Sequence, residues 1–318
     1  MDLSMFPPFL KLFSFTQFQN RSQRLSMNLL VKNEVDVIAD NIRFHATQGV
    51  DCFVVMDNGS TDGTLEAVEA LQGELEIHII RRPVQDYQQS NWKSEMAFVS
   101  RDLLKADWSI ANDADEFWVT DSGDLKASLT NWGSILACPR YNMIPDQAFH
   151  LPDFHYLNSP YRVKLPIFNK GADIINDDQL SIMLDKINGK VMVNNHGLLR
   201  VKGGNHRAWH TRSFINQRSE ASIGVYHYPI CSKAHFIEHI ENREKLLASG
   251  VTKMGDHYRR WVRQYQQGKL DSEFSRLVIQ PEDAEVLKRF GVLKDDLNVG
   301  AKIRAALVES SNSTGTKS

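Results

Sequence analysis

The sequence predicts an α/β protein, with a mostly parallel, doubly wound sheet, flanking helices and a helical C-terminal extension. Two observations predict it. Apolar runs of strand length alternate with segments of helical periodicity through the first third of the chain. Three of those runs stop abruptly in polar residues, at Lys32-Asn33-Glu34, at Asp57-Asn58-Gly59 and at Asp113-Ala114-Asp115-Glu116. Strands joined by helical crossovers pair in parallel, so such ends share one edge of the sheet. Ligands of open α/β sheets bind at that edge.

Each element follows from local pattern. Met27–Val31 reads as a buried first strand, and Val35–Gln48 as a helix with Val37, Ile38, Ile42 and Ala46 on one face, closed by Gly49. Asp51–Met56 reads as a second strand. Ser60, Thr61 and Asp62 are ready caps for the helix through Leu65, Val68 and Leu71. Ile77–Ile80 is a third strand, and a helix from about Ser90 to Lys105 leads into a central strand at Trp108. If that strand continues through its acidic end, alternation points Asp113 and Asp115 the same way. Two carboxylates so placed repel each other unless a cation lies between them, and hard oxygen ligands suit Mg²⁺ or Mn²⁺. The plainer alternative is a polar strand end followed by a turn.

The second half is less regular. Ile135–Cys138 reads as another strand, and 141–178 as a loop-rich region facing substrate. Val191–Val193 and Leu198–Val201 read as a hairpin around Asn194-Asn195-His196-Gly197. Gly203-Gly204-Asn205-His206 reads as a tight turn carrying an imidazole. After Ser232 the chain turns helical. Arg259, Arg260, Trp261 and Arg263 lie together there, as a solvated helix face or as a contact for phosphates or an anionic membrane.

Composition bounds the function. The chain has 318 residues, 42% hydrophobic and 24% charged, enough for a large globular core. A net charge of −2 argues against general nucleic-acid binding. Cys52, Cys138 and Cys231 are scattered and odd in number, which favours a reducing compartment, and a cytoplasmic location is expected. No apolar run approaches the roughly 18 residues of a membrane-spanning helix. The phenylalanine-rich N-terminus lacks the pattern of a signal peptide. It is expected to pack on the domain or touch a membrane surface, unless Met27 is the true start.

The motifs Val31-Lys32-Asn33-Glu34, Asp57-Asn58-Gly59-Ser60-Thr61-Asp62-Gly63-Thr64 and Asp113-Ala114-Asp115-Glu116-Phe117 occur in that order. Together they resemble the nucleotide-sugar half of family 2-like glycosyltransferases with the GT-A fold. Gly204-Asn205-His206, His227-Tyr228-Pro229 and Ser232 resemble the second half of one bacterial branch of that group. The resemblance covers roughly residues 26 to 247. It implies a metal-dependent transferase using Mn²⁺ or Mg²⁺ and a nucleotide-sugar donor, a UDP-sugar by preference. The acceptor would be a glycan or glycolipid of bacterial surface polysaccharide or lipopolysaccharide, with peripheral membrane contact at the cytoplasmic face left open.

It also implies roles. Asp57 would accept from the nucleotide base, Asn33 and Glu34 would meet base and ribose, and Lys93 would lie near phosphate. For each there is a plain alternative: a turn-forming Asp57, a helix-capping Glu34, a solvated Lys93. Arg81 and Arg82 share the ambiguity of Lys93, and Asp62 is expected to be mostly a helix cap. Asp115 would bind the metal directly, Asp113 would face the ribose or reach the metal through water, and His227 would complete the metal shell. An inverting enzyme also needs a general base. The usual acidic motif is not recognisable, which leaves the stereochemistry open. Asp178 and His206 are candidates by location, Glu220 is a further one, and His206 has the plainer alternative of pinning a loop.

The organisation expected is an extension over 1–25, the nucleotide-sugar half over 26–122, an acceptor-side half over 123–231, a helical region over 232–308 and a disordered tail over 309–318. Two other functions stay in view. One is a non-catalytic carbohydrate or nucleotide binder. The other is a haloacid-dehalogenase-like phosphatase with Asp113 as nucleophile and Asp115 as acid-base, although its motif belongs on a first strand.

Overall fold

The computed structural model describes residues 23–83, 89–151, 153–167, 181–212, 214, 217–251 and 255–314. In chain order the first elements are β1 (Leu25–Val31), α1 (Ile38–Thr47), β2 (Cys52–Asp57), α2 (Thr64–Leu71), β3 (Ile77–Arg81), α3 (Gln89–Asp102), β4 (Trp108–Asn112), β5 (Glu116–Thr120) and β6 (Ile135–Cys138). Then come β7 (Arg140–Ile144), β8 (Tyr161–Val163), β9 (Lys190–Asn194), β10 (Leu198–Val201), β11 (Ala208–His210), β12 (Gln217–Ser219) and β13 (Ile223–His227). The C-terminal elements are α4 (Lys233–Ala248), α5 (Asp256–Gln266), α6 (Leu270–Ser275), α7 (Pro281–Arg289), β14 (Leu293–Asp295) and α8 (Leu297–Thr314). Two compact units result, one of residues 1–139 and 188–225, the other of 140–187 and 226–318.

The first unit carries a seven-stranded sheet in the order β12-β6-β9-β4-β1-β2-β3. β4, β1, β2 and β3 are parallel, as the alternation of strands and helices predicts. β1 is buried along its length because β2 and β4 take both its edges, which explains why its sequence is an apolar run. Strand alternation turns Val54 and Met56 of β2 toward Trp92 and Met96 of α3, and the four side chains form one buried cluster.

β9 departs from the expected pattern. It enters antiparallel between β4 and β6, pairing Trp108 with Asn194 and Ile135 with Val193. The expected hairpin between Val191–Val193 and Leu198–Val201 therefore does not form. Both edges of β9 are already taken, and β10 pairs antiparallel with β11 instead, across the Gly203–His206 turn.

In the second unit, β8 pairs antiparallel with β7 and β14. Phe149, Phe236, Ile240, Trp261, Phe274, Leu277 and Val292 belong to its core. Arg260 and Trp261 are in that core, not on a solvated or phosphate-facing stripe. The Arg260 guanidinium meets the Glu273 carboxylate at 2.7 Å with both side chains fully buried, and the Trp261 indole donates to the same carboxylate at 3.1 Å. α8 runs to Thr314, past residue 309 where a disordered tail was expected. The Ser310 hydroxyl there donates back to the Leu307 carbonyl, within the helix. Among the described residues no helix is long and apolar enough to cross a membrane, and all three cysteines are buried free thiols.

Candidate functional site

The first unit builds its polar edge where β1, β2 and β4 end. Val31 and Asp57 are register partners, so the segments after them leave the sheet side by side. Asn33 sits at φ +56°, a conformation asparagine tolerates better than most residues. Its backbone N–H donates to the Ser60 hydroxyl at 3.0 Å, and its side-chain oxygen accepts from the Thr61 N–H at 2.9 Å. The Glu34 N–H donates to the Thr64 hydroxyl, and the Val35 N–H to Asp62. Asp62 also accepts from the Thr64 N–H, but the N-cap of α2 is Gly63 and not Asp62, one residue past the cap expected. Two loops are thus laced into one rim.

Asp57 is buried and accepts from the N–H groups of Gly59 at 3.0 Å and Ser60 at 3.2 Å. This is an Asx turn, the plain alternative foreseen for it. Arg82 is paired with Glu95 at 2.6 Å, and Arg81 with Glu69.

The acidic motif is not a strand end. β4 stops at Asn112, and Asp113–Glu116 closes a turn in which the Glu116 N–H donates to the Asp113 carbonyl at 3.1 Å. Alternation along a strand therefore does not govern the directions of Asp113 and Asp115. The turn is pinned from below. The buried Asn41 amide donates to the carbonyls of Ala114 at 2.7 Å and Glu116 at 2.8 Å. Asn112 donates to the same Glu116 carbonyl at 3.0 Å and accepts from the Trp118 indole at 2.8 Å.

Two lysines reach Asp113. Lys93 Nζ lies 3.0 Å from its Oδ1, and Lys190 Nζ lies 2.6 Å from Oδ2 and 2.9 Å from Glu116 Oε2. Lys190 is fully buried, whereas the Asp113 side chain keeps 39% of its surface. Burial pushes the Asp113 carboxyl up, but the Lys190 and Lys93 ammonium groups outweigh it and hold the carboxyl well below the usual range. Burial also lowers the Lys93 ammonium, against the pull of Asp113. Lys93 is therefore not a solvated lysine but a buried partner of Asp113.

As a hard-cation ligand, Asp113 fits poorly, because each oxygen already faces an ammonium group. Asp115 is a second partly buried carboxylate in the same turn. A carboxylate held by two lysines is also a weak nucleophile, which counts against the phosphatase alternative.

The histidines are held in defined tautomers. His206 Nδ1 is 2.8 Å from the Gly189 carbonyl, which can only accept, so the proton is on Nδ1 and Nε2 is the ring's acceptor. Gly204 makes room for this ring, since a Cβ there would come within 2.9 Å of it. In the second unit, Asn142 donates to the Met183 carbonyl at 3.0 Å, so its oxygen accepts from His227 Nδ1 at 2.8 Å. His227 Nε2 is then its acceptor nitrogen, the arrangement metal-binding histidines use. Glu220 accepts from Ser222, a bond that lowers its carboxyl and makes it a poor base. Asp178 lies outside the described residues.

Lys190, Asn41 and Asn112 were not singled out in the sequence. For Lys190 there was one signal, a cation directly preceding the apolar run Val191–Val193.

No family model matches the chain, and no curated protein matches it. Solved structures similar to it include S. aureus TarS in complex with UDP, at 13% identity and a TM-score of 0.39 over 80% of this chain and 72% of that one. The same protein with UDP-GlcNAc gives 12% and 0.41 over the same shares. Glucosyl-3-phosphoglycerate synthase from Mycobacterium tuberculosis, in complex with Mn²⁺, UDP and phosphoglyceric acid, gives 14% and 0.28 over 54% of this chain and 56% of that one. Any functional assignment therefore rests on the chain's own residues.

Proposed function

We propose that the protein is a glycosyltransferase of GT-A type, taking a sugar from a nucleotide-sugar donor, a UDP-sugar, and passing it to a glycan or glycolipid acceptor. One observation carries this reading. The Asn33–Glu34 loop, Asp57 and the Asp113–Glu116 turn all follow the ends of neighbouring parallel strands in one unit, the edge where open α/β sheets bind ligands. The order and type of those residues are those of the family the sequence resembles.

Roles follow from the chemistry available. A carboxylate offers about four lone-pair sites, so the Asx turn leaves Asp57 able to accept from a uracil imide while fixing its direction. Asn33 and Glu34 form the adjoining wall for base and ribose. Asp115 is the carboxylate proposed to hold Mn²⁺ or Mg²⁺, and a ligand role for His227 follows from the resemblance alone. The metal, when bound, supplies Lewis-acid stabilisation of the departing diphosphate. His206 Nε2 is the proposed acceptor for the proton of the attacking hydroxyl, with Asp178 the alternative base. A part in surface polysaccharide assembly at the cytoplasmic membrane face follows from the resemblance alone.

Titration calorimetry of UDP into the protein, with and without Mn²⁺, tests the reading. Metal-dependent binding that Asp115→Asn abolishes is the expected result. Absence of binding by UDP and by other nucleotides, with and without metal, would overturn it.

A further inference from the structure

The second unit carries a histidine pair to which the donor-site reading gives no role. Helix α4 turns Phe236 and Ile240 into the core of that unit. His235 and His239 each precede one of these by a single residue, so they form the neighbouring stripe, one turn apart. Their ring centroids are 4.1 Å apart, with the planes tilted by 44°. A nitrogen of one ring lies within 4.8 Å of a nitrogen of the other. His235 is 7% exposed and His239 is half-buried.

The helix beneath the pair is held at both ends. Ser232 caps it by accepting from the His235 N–H at 3.1 Å. Further along, Glu241 accepts from the Tyr265 hydroxyl of α5 at 2.8 Å, and Glu244 from the Gln266 amide at 2.9 Å. Arg243, one turn beyond His239, has its guanidinium 4.7 Å from the centre of the Tyr258 ring, so this cation is held toward α5.

Imidazoles four residues apart on one helix face are a recurring way for a helix to bind zinc. A neutral imidazole keeps one acceptor nitrogen, and a zinc–nitrogen bond is about 2.0–2.1 Å long. Two such bonds bring the nitrogens to about 3 Å, a spacing that small side-chain rotations reach on a fixed helix. Nitrogen donors suit Zn²⁺, Ni²⁺ and Cu²⁺, whereas Mg²⁺ and Mn²⁺ prefer oxygen.

We propose that His235 and His239 form a transition-metal site of the second unit, each giving one nitrogen to Zn²⁺ or a like dication, with water completing the shell. It differs in residues and in metal preference from a hard-cation site at Asp115. A metal held there staples the first two turns of α4 and stabilises the folded chain by binding it alone. The inference does not rest on the glycosyltransferase reading.

The test uses the full chain without a polyhistidine tag. Calorimetry without nucleotide should show Zn²⁺ binding wild type about tenfold or more tighter than Mn²⁺ does. His239→Gln should weaken Zn²⁺ binding about tenfold or more and remove the rise in melting temperature that Zn²⁺ gives wild type. Asp115→Asn should leave Zn²⁺ affinity within about threefold. Paramagnetic resonance of bound Cu²⁺ reads the ligands directly: wild type should show two coupled nitrogens, and His239→Gln one fewer. If His239→Gln does not fold, the copper spectrum of wild type decides.

A wild type that binds no Zn²⁺, a His239→Gln affinity within threefold of wild type, or a copper spectrum without paired nitrogens would overturn the proposal. So would an equal loss of Zn²⁺ affinity in Asp115→Asn, which would put the metal at the acidic turn. Failure of Mn²⁺-dependent UDP binding is a separate outcome: it strikes the donor-site reading and leaves the histidine site standing.

Discussion

The Nε2 atom of His45 accepts the backbone N–H of Trp118 at 3.0 Å. Its Nδ1 donates to the Asn41 carbonyl at 2.7 Å, so one neutral imidazole ties α1 to β5, just beyond the acidic turn. The ring is fully buried, stacked on Phe117 with centroids 5.9 Å apart. A proton on Nε2 would break the bond to Trp118 and charge an apolar core.

Acid should therefore weaken this unit through His45. Burial lowers its imidazole from 6.5 to about 3, against the bond to Asn41. The unfolded chain takes up the proton as pH falls through 6.5 and the folded chain does not. Stability is complete above that pH and lost progressively toward pH 3, by about 3–5 kcal/mol in all. His210, lowered to about 4 mainly by burial, acts with the same sign. Urea midpoints between pH 8 and 4 measure the effect. His45→Gln should be less stable at pH 8 and should remove about one proton from the slope; an unchanged slope would show that His45 does not set it.

Asn41 holds the same region from the other side. Asn41→Ala removes the donors to the Ala114 and Glu116 carbonyls and the contact to Asn112. The Ala114 carbonyl loses that donor while the Glu116 carbonyl keeps Asn112, and the change should cost about 1–3 kcal/mol. The turn bearing Asp113 and Asp115 should also loosen. Denaturation and Mn²⁺ titration on one sample should show both losses. A stability loss with unchanged metal affinity would mean that the turn holds its shape without Asn41.

What could be read from the sequence follows from how local each signal is. β1, β2 and β4 are apolar runs with polar ends, and their parallel pairing follows from the helices between them. Asp57 revealed its turn role for the same local reason, whereas the cap expected at Asp62 falls on Gly63. Lys190 did not, because its neighbour is set by where β9 enters the sheet, and its flanking Val191–Val193 suits several partners. Arg260 and Trp261 looked like part of a basic stripe because Glu273, which neutralises and buries Arg260, belongs to the next helix. His206 drew notice for its imidazole, while the carbonyl that fixes its tautomer belongs to Gly189, on a distant segment.

The Arg260–Glu273 pair gives a prediction for the second unit. With both side chains fully buried, removing one charge strands the other. Glu273→Gln should cost about 3–5 kcal/mol, because it leaves the Arg260 guanidinium without its counter-charge. Arg260→Met with Glu273→Leu should recover much of that loss, since a buried ion pair often gains little over an apolar pair. Denaturation of Arg260→Met, Glu273→Leu and the double measures the coupling, and additive losses would show that the two charges act independently.

Gly189 ties the sheet to the candidate site, and its substitution should disturb both. A Cβ there would lie 2.4 Å from the Cys138 carbonyl oxygen, a backbone atom of the adjoining β6, so the start of β9 would have to move. The Gly189 carbonyl also fixes the His206 proton, and the next residue is Lys190. Gly189→Ala should therefore cost about 1–3 kcal/mol, the usual range for overpacking, and weaken Mn²⁺-dependent UDP binding as well. Gly204→Ala is the contrasting variant. Its Cβ would meet the His206 ring at 2.9 Å while Lys190 keeps its place, and φ +78° adds strain of its own. It should lower stability and turnover but spare UDP affinity. If both variants lose UDP binding equally, His206 takes part in holding the nucleotide, and its place as the proton acceptor passes to Asp178.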